Sequence, residues 1–156
     1  MCGIAGIWNF DNKPVTQASI ERFADSLAHR GPDGRGFWRD DSLGIALGHR
    51  RLSIIDLTDE AAQPMSYADD RYWITYNGEI YNFIELRKEL EAKGHQFRTQ
   101  SDTEIILAAY SEWGADMQFK FNGMWAFAIF DRQERRLFFS RDRFGIKPFH
   151  FRPPIN

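Results

Sequence analysis

Gly123-Met124-Trp125-Ala126-Phe127-Ala128-Ile129-Phe130-Asp131 carries apolar side chains on both faces of an extended chain: Trp125, Phe127 and Ile129 on one, Met124, Ala126, Ala128 and Phe130 on the other. A strand of this kind needs a layer above it and a layer below. Gly3-Ile4-Ala5-Gly6-Ile7-Trp8 reads the same way, which predicts a central strand with Cys2 at its start. Shorter strands are expected over residues 37–39, 44–48, 52–55 and 71–76, and residues 137–140 follow a polar turn that predicts an antiparallel hairpin with the 123–131 strand. Two strands buried on both faces, with hairpins around them, predict sheet packed on sheet.

Three helical stretches lie between these strands, so the fold class is α+β with helices on the outside. Thr16 can cap a helix whose Ile20, Phe23, Ala24 and Leu27 share a face. Asn82-Phe83-Ile84-Glu85 reads as an asparagine capping box, with Phe83, Leu86 and Leu90 on one face and Gly94 as the stop. Ser101-Asp102-Thr103-Glu104 is a capping box in the stricter sense, and it places Asp102 in the first turn of a helix that ends at Gly114. Residues 29–36 hold three glycines and a proline and form a loop.

At 156 residues the chain is read as one domain, long enough to bury roughly 70% of its unfolded surface. Fourteen phenylalanines and five tryptophans argue for a well-filled core. A net charge of −2 offers no electrostatic attraction to nucleic acid or to an anionic membrane. No apolar run is long enough to span a bilayer, and the N-terminus lacks a signal-peptide pattern. With one cysteine no internal disulfide can form, which fits a reducing compartment, and the expectation is a soluble cytoplasmic protein.

That cysteine, Cys2, directly follows Met1. A small residue at position two permits removal of Met1, after which Cys2 carries a thiol and a free α-amine on the same residue. The amine titrates near about 7.7 to 8.0 and a free thiol near about 8.5, so the amine can take the thiol proton without a separate histidine. Taken alone, a single cysteine near a terminus reads rather as a small buried hydrophobe.

Cys2 does not stand alone. Together with His29-Arg30-Gly31-Pro32-Asp33, His49-Arg50-Arg51-Leu52-Ser53-Ile54, Tyr76-Asn77-Gly78-Glu79-Ile80-Tyr81-Asn82, Ser101-Asp102-Thr103-Glu104 and Arg141-Asp142-Arg143-Phe144-Gly145-Ile146-Lys147-Pro148, it resembles the N-terminal glutaminase domain of glutamine-dependent asparagine synthetase. That domain is a class II glutamine amidotransferase of the N-terminal-nucleophile hydrolase fold, and the resemblance covers essentially the whole chain. It implies a four-layer αββα sandwich of two mainly antiparallel sheets. By resemblance Cys2 attacks glutamine and forms a γ-glutamyl thioester, while Asn77 and Gly78 form the oxyanion hole. Arg51 holds the α-carboxylate of L-glutamine, Asp102 its α-ammonium, and Leu52, Ser53, Ile54, Ile55 and Glu79 complete the pocket.

Taken singly, these residues have plainer readings. Asn77-Gly78 is a hairpin-turn signal, Asp102 a helix-start residue, and Arg51 a solvated strand residue. His29 and His49 are read as structural, since the built-in amine removes the need for a histidine base, and Arg141, Arg143 and Lys147 as a structural or domain-contact cluster.

The resemblance implies no cofactor for this domain. ATP and Mg²⁺ belong to a C-terminal synthetase domain, the expected partner, whose Ser-Gly-Gly-x-Asp-Ser loop does not occur in residues 1–156. In the family the glutaminase domain runs on beyond the Gly145-Ile146-Lys147-Pro148 stretch, so the domain is expected to be incomplete at its C-terminal end. A homodimer is a further expectation. The alternative readings are an amidotransferase with another acceptor, such as a sugar or another carboxylate, and a non-catalytic fragment acting as a binding module. The phosphoribosyl branch is disfavoured by Arg30-Gly31-Pro32-Asp33 and Arg51-Leu52-Ser53-Ile54.

Overall fold

The computed structural model describes residues 1–52 and 61–153. The strands are β1 (Gly3–Trp8), β2 (Gly34–Asp40), β3 (Ile45–Arg51), β4 (Met65–Tyr67), β5 (Tyr72–Ile80), β6 (Gly123–Asp131) and β7 (Arg136–Arg141). The helices are α1 (Gln17–Asp25), α2 (Phe83–Ala92) and α3 (Asp102–Trp113), with a short 3₁₀ helix over Gly114–Phe119. Among the described residues these strands form two antiparallel sheets, of order β1-β3-β2 and β4-β5-β6-β7.

Four layers result. α1 lies on the outer face of the first sheet, with Ile20 and Ala24 buried against Ala5 and Ala46. α2 and α3 cover the outer face of the second sheet, where Trp125, Phe127 and Ile129 meet Leu86, Leu90, Ile105 and Ile106. Between the sheets lie Leu43, Ile45 and Phe130, with Trp8 and Trp38 packed on them, and Trp38 stacks on Trp73 at 4.6 Å. The two faces of β6 therefore serve two cores, as its alternation predicts.

Several local expectations change. β1 is an edge strand of its sheet among the described residues, and β3 is the central one. Two-faced burial reports layers above and below a strand and carries no information on its lateral neighbours. Thr16 caps α1 through the amide of Ser19, as expected. Asn82 does not cap α2: its Oδ1 accepts from Asn122 N at 2.9 Å and its Nδ2 donates to Lys120 O at 2.9 Å, tying the strand-to-helix corner to the entry of β6.

At α3 only half of the capping box forms. Ser101 Oγ accepts from Thr103 N at 3.1 Å, while the buried Glu104 carboxylate takes the amides of Arg98 and Thr99 in place of the Ser101 amide. The strand expected at 52–55 falls mostly outside the described residues, and its one described member, Leu52, is in no strand. β4 was not anticipated.

Candidate active site

The β1/β3 register pairs Gly3 with Arg50, and continuing it by one residue sets Cys2 opposite Arg51. Cys2 Sγ there meets the backbone of Leu52: the Leu52 amide donates to it at 3.4 Å, and the thiol reaches Leu52 O at 3.7 Å. The Cys2 carbonyl accepts from Arg30 Nε at 3.2 Å. The nucleophile candidate is thus held at its backbone from one side and at its sulfur from the other.

Asn77 and Gly78 lie in the middle of β5, opposite Ala126 and Trp125, and so do not form a turn. Alternation puts Asn77 on the face that carries Thr75, whose hydroxyl crosses to Gly48 O of the other sheet at 3.0 Å. Asn77 is buried in that inter-sheet layer. Backbone alternation settles the direction of the Gly78 amide as well. Tyr76 N donates to Gln63 Oε1 at 2.7 Å and Ile80 N to Asp102 Oδ2 at 3.0 Å, so Gly78 N–H, between them, faces the same side. β4 pairs with β5 only over Tyr72, Trp73 and Ile74, so this amide lies beyond its end. A side chain at 78 is excluded by close approach, because a Cβ would fall 2.3 Å from Met124 O and 2.8 Å from Trp125 Cα.

Asp102 is buried in the first turn of α3 and faces β5. Its Oδ2 accepts from the Tyr76 hydroxyl at 2.8 Å as well as from Ile80 N. Burial pushes its carboxyl up, and the charge of Glu79 adds to that, while the two donors pull it down. Burial also raises the Tyr76 phenol well above its ordinary value, reinforced by the negative charges of Asp102, Glu79 and Cys2. Cys2 is therefore within electrostatic range of the Tyr76–Asp102 pair. Cys2 meets Leu52, Asp102 binds Tyr76 and Ile80 on either side of the Asn77-Gly78-Glu79 run, and Arg51, half-buried, ends β3. Ser53, Ile54 and Ile55 lie outside the described residues.

The remaining candidates separate cleanly. His49 is buried between the sheets, where its Nε2 donates to Tyr76 O at 3.0 Å. Burial lowers it from 6.5 to about 4, with Arg51 contributing, so it is a neutral structural bridge. Arg141 braces its own loop through Lys147 O and Gly145 O, and Arg143 reaches Phe121 O.

Sequence reasoning missed three supporting residues. Tyr76 orients Asp102, Gln63 joins β5 to α3 through Tyr76 N and Thr103 Oγ1, and Arg30 holds Cys2. A buried phenol needs an acceptor, so the adjacency of Tyr76 to Asn77 is a usable signal. Nothing in the pattern around Gln63 points to the site. Among the described residues no group of three or more His, Cys, Asp or Glu could hold a metal ion, and no helix is long and apolar enough to cross a membrane.

Comparison with known proteins shows the family and the fold. A model of the glutamine amidotransferase domain matches residues 1–155. Asparagine synthetase [glutamine-hydrolyzing] 1 of Bacillus subtilis is 46% identical over 156 residues, covering 97% of this chain and 24% of that protein. Putative asparagine synthetase [glutamine-hydrolyzing] 2 of Methanocaldococcus jannaschii is 41% identical over 167 residues, covering 97% of this chain and 32% of that protein. Amidase chry2 of Gibberella zeae is 35% identical over 162 residues, covering 97% of this chain and 24% of that protein. The chain thus spans between 24% and 32% of the length of these relatives. Among solved structures, glutamine phosphoribosylpyrophosphate amidotransferase from B. subtilis superposes with a TM-score of 0.73 at 22% identity, covering 93% of this chain and 38% of that one. At that identity the likeness is one of fold, the N-terminal-nucleophile hydrolase sandwich.

Proposed function

Because the chain belongs to the glutamine amidotransferase domain family, we propose that it hydrolyses the side-chain amide of L-glutamine to glutamate and ammonia, with Cys2 as nucleophile once Met1 is removed. The Cys2 thiolate adds to the γ-carbonyl carbon, and the thiol proton passes to the α-amine. The resulting oxyanion is held by the Asn77 side-chain amide and the Gly78 N–H. Collapse of the adduct breaks the C–N bond, the α-ammonium returns its proton to the departing ammonia, and a thioester remains. Water then cleaves the thioester, releasing glutamate and restoring the thiol. Loss of one oxyanion donor typically slows such a reaction about 10²- to 10³-fold.

The substrate's own charges assign the rest. Arg51 presents a planar fork to the α-carboxylate, and Asp102 Oδ1 accepts from the α-ammonium while Oδ2 stays with Tyr76 and Ile80. Leu52, Ser53, Ile54, Ile55 and Glu79 line the pocket in this reading. The observation that supports it most is the placing of the Gly78 amide between the Tyr76 and Ile80 amides, both of these engaged and Ile80 on Asp102, with Cys2 Sγ seated on the backbone of Leu52.

In its larger setting we assign the ammonia to asparagine synthesis from aspartate. The relatives named as glutamine-hydrolysing asparagine synthetases, of which this chain spans the smaller part, support this. A C-terminal synthetase domain would bind the ATP and Mg²⁺ that activate aspartate, the glutaminase domain needs neither, and the reaction belongs in the cytoplasm. The amidase relative favours keeping a second acceptor open, with the same glutaminase chemistry.

The test is glutamate release from glutamine by protein shown by mass spectrometry to lack Met1. Activity is expected there, and little or none from Met1-bearing protein or from Cys2→Ala. Release no greater than that of Cys2→Ala would overturn the proposal.

A further inference from the structure

Lys147 is buried, with 4% of its surface exposed. Its ammonium donates to Met1 Sδ at 3.2 Å, and among the described residues no carboxylate forms an ion pair with it. A thioether is a weak acceptor, and buried charges are ordinarily paired, so the arrangement around Met1-bearing protein is incomplete. The contact partner is the very residue whose removal the glutaminase reading requires. The cation itself is rigidly placed. Asp142 accepts from the amides of Phe144, Ile146 and Lys147, Arg141 Nε donates to Lys147 O, and Asp142 N donates to Trp125 O at 2.8 Å. Trp125 is the register partner of Gly78, so the loop that carries Lys147 is tied to the same strand pair as the oxyanion donor.

We propose that Lys147 is a positioning residue that supplies a fixed positive charge to the N-terminal nucleophile, facing Cys2 after Met1 leaves and favouring its thiolate. The proposal rests on the glutaminase reading for its use in catalysis, but the charge on Cys2 can be read without turnover. Other charged or titratable groups come from the neighbouring elements: Arg30, from the loop after α1, donates to the Cys2 carbonyl, Arg51 ends β3, Tyr76 and Glu79 belong to β5, and Asp102 to α3. On the Lys147 side stand Arg141, Asp142 and Arg143. The Asp142 carboxylate is occupied by backbone amides, and the two arginines donate to backbone carbonyls. Lys147 is the cation of that loop directed at the N-terminus.

The experiment compares Met1-free wild type with Lys147→Met, Lys147→Gln and Lys147→Arg. Cys2 alkylation by iodoacetamide at fixed neutral pH is measured beside glutamine kcat and KM. Loss of the charge is expected to slow alkylation about tenfold, the effect one nearby opposite charge commonly has on an ionised fraction. kcat should fall with it while KM changes little, and Lys147→Arg should restore most of both. Folded Met or Gln variants that alkylate as fast as wild type would overturn the proposal. So would an Arg variant as slow as Met, or failure of both neutral variants to fold, which would make Lys147 part of the loop's frame. Absence of glutamine turnover in wild type would instead sink the glutaminase reading and leave the alkylation result standing.

Discussion

At the scale of single residues, the proposed site asks one carboxylate to do two jobs. Asp102 Oδ2 is saturated by Tyr76 and Ile80, and Oδ1 is assigned to the substrate ammonium. Asparagine at 102 can keep the first job, because its carbonyl oxygen accepts both bonds, but its NH₂ then meets the ammonium donor to donor. Asp102→Asn is therefore expected to raise the KM for glutamine by about 10²-fold or more, the scale of an unpaired buried charge. Its effect on stability has the opposite sense. Burial raises the Asp102 carboxyl, so between the unfolded value near about 3.9 and the raised folded one the native state binds more protons. Stability from this group is present at low pH and falls as pH rises through that window. The unliganded Asn variant should consequently be as stable as wild type at neutral pH or more so, measured by urea denaturation. A large destabilisation would show that the ionised carboxylate holds the fold together. The sequence pointed to Asp102 as a clamp by resemblance and as a first-turn residue by its cap, but its bonds to Tyr76 and Ile80 were invisible there.

At the scale of elements, the polar bridges between the sheets decide how β3 and β5 present the site. Thr75 donates across to Gly48 O, and His49 donates across to Tyr76 O. A carbonyl only accepts, so His49 carries its proton on Nε2, and Nδ1 has no partner among the described residues. Protonating that buried nitrogen is costly, which is why His49 falls from 6.5 to about 4. Between these values the unfolded chain binds the extra proton and the native state does not, so stability rises with pH across the window and is lost on acidification. From pH 6.5 down to pH 4 this group should remove about 3 kcal/mol, and the difference between wild type and His49→Gln in pH-dependent denaturation isolates it. A difference curve flat over that range would refute the bridge. Periodicity and caps placed α1, α2, α3, β1 and β6 well, because amphipathic burial and stop residues are local signals. They failed at Asn82 and Glu104, whose side chains found partners on the incoming 120–122 segment and on residues 98–99. A capping motif specifies a possible local bond, and a distant backbone group with better geometry can take it.

At the scale of the whole molecule, several large apolar side chains stand in solvent, two of them on the loop after β7. Phe144 is 88% exposed and Ile146 57% exposed, on the loop whose other end buries Lys147. Phe139 on β7 is partly covered by Phe149 and Phe151 at 5.2 and 5.3 Å. An aromatic ring in water adds nothing to the folded state, so Phe144→Ser should change stability by less than about 0.5 kcal/mol while lowering the binding of an apolar dye such as ANS. A marked loss of stability would mean the ring is covered in solution. The sequence by itself determined the layers and the family: two strands apolar on both faces demanded sheet on sheet, and six motifs in order carry the resemblance to the glutamine amidotransferase domain, whose model matches residues 1–155. These are properties of residue type and spacing, which survive without coordinates. Only the tertiary structure decided that β1 lies at an edge and that Asn77-Gly78 continues a strand whose amide opens past the end of β4. It also decided that Tyr76 and Arg30 hold Asp102 and Cys2, and that Lys147 is aimed at the N-terminus. Each depends on which segments meet across 20 or more intervening residues, and pairing between distant segments is settled by the packing of the whole chain.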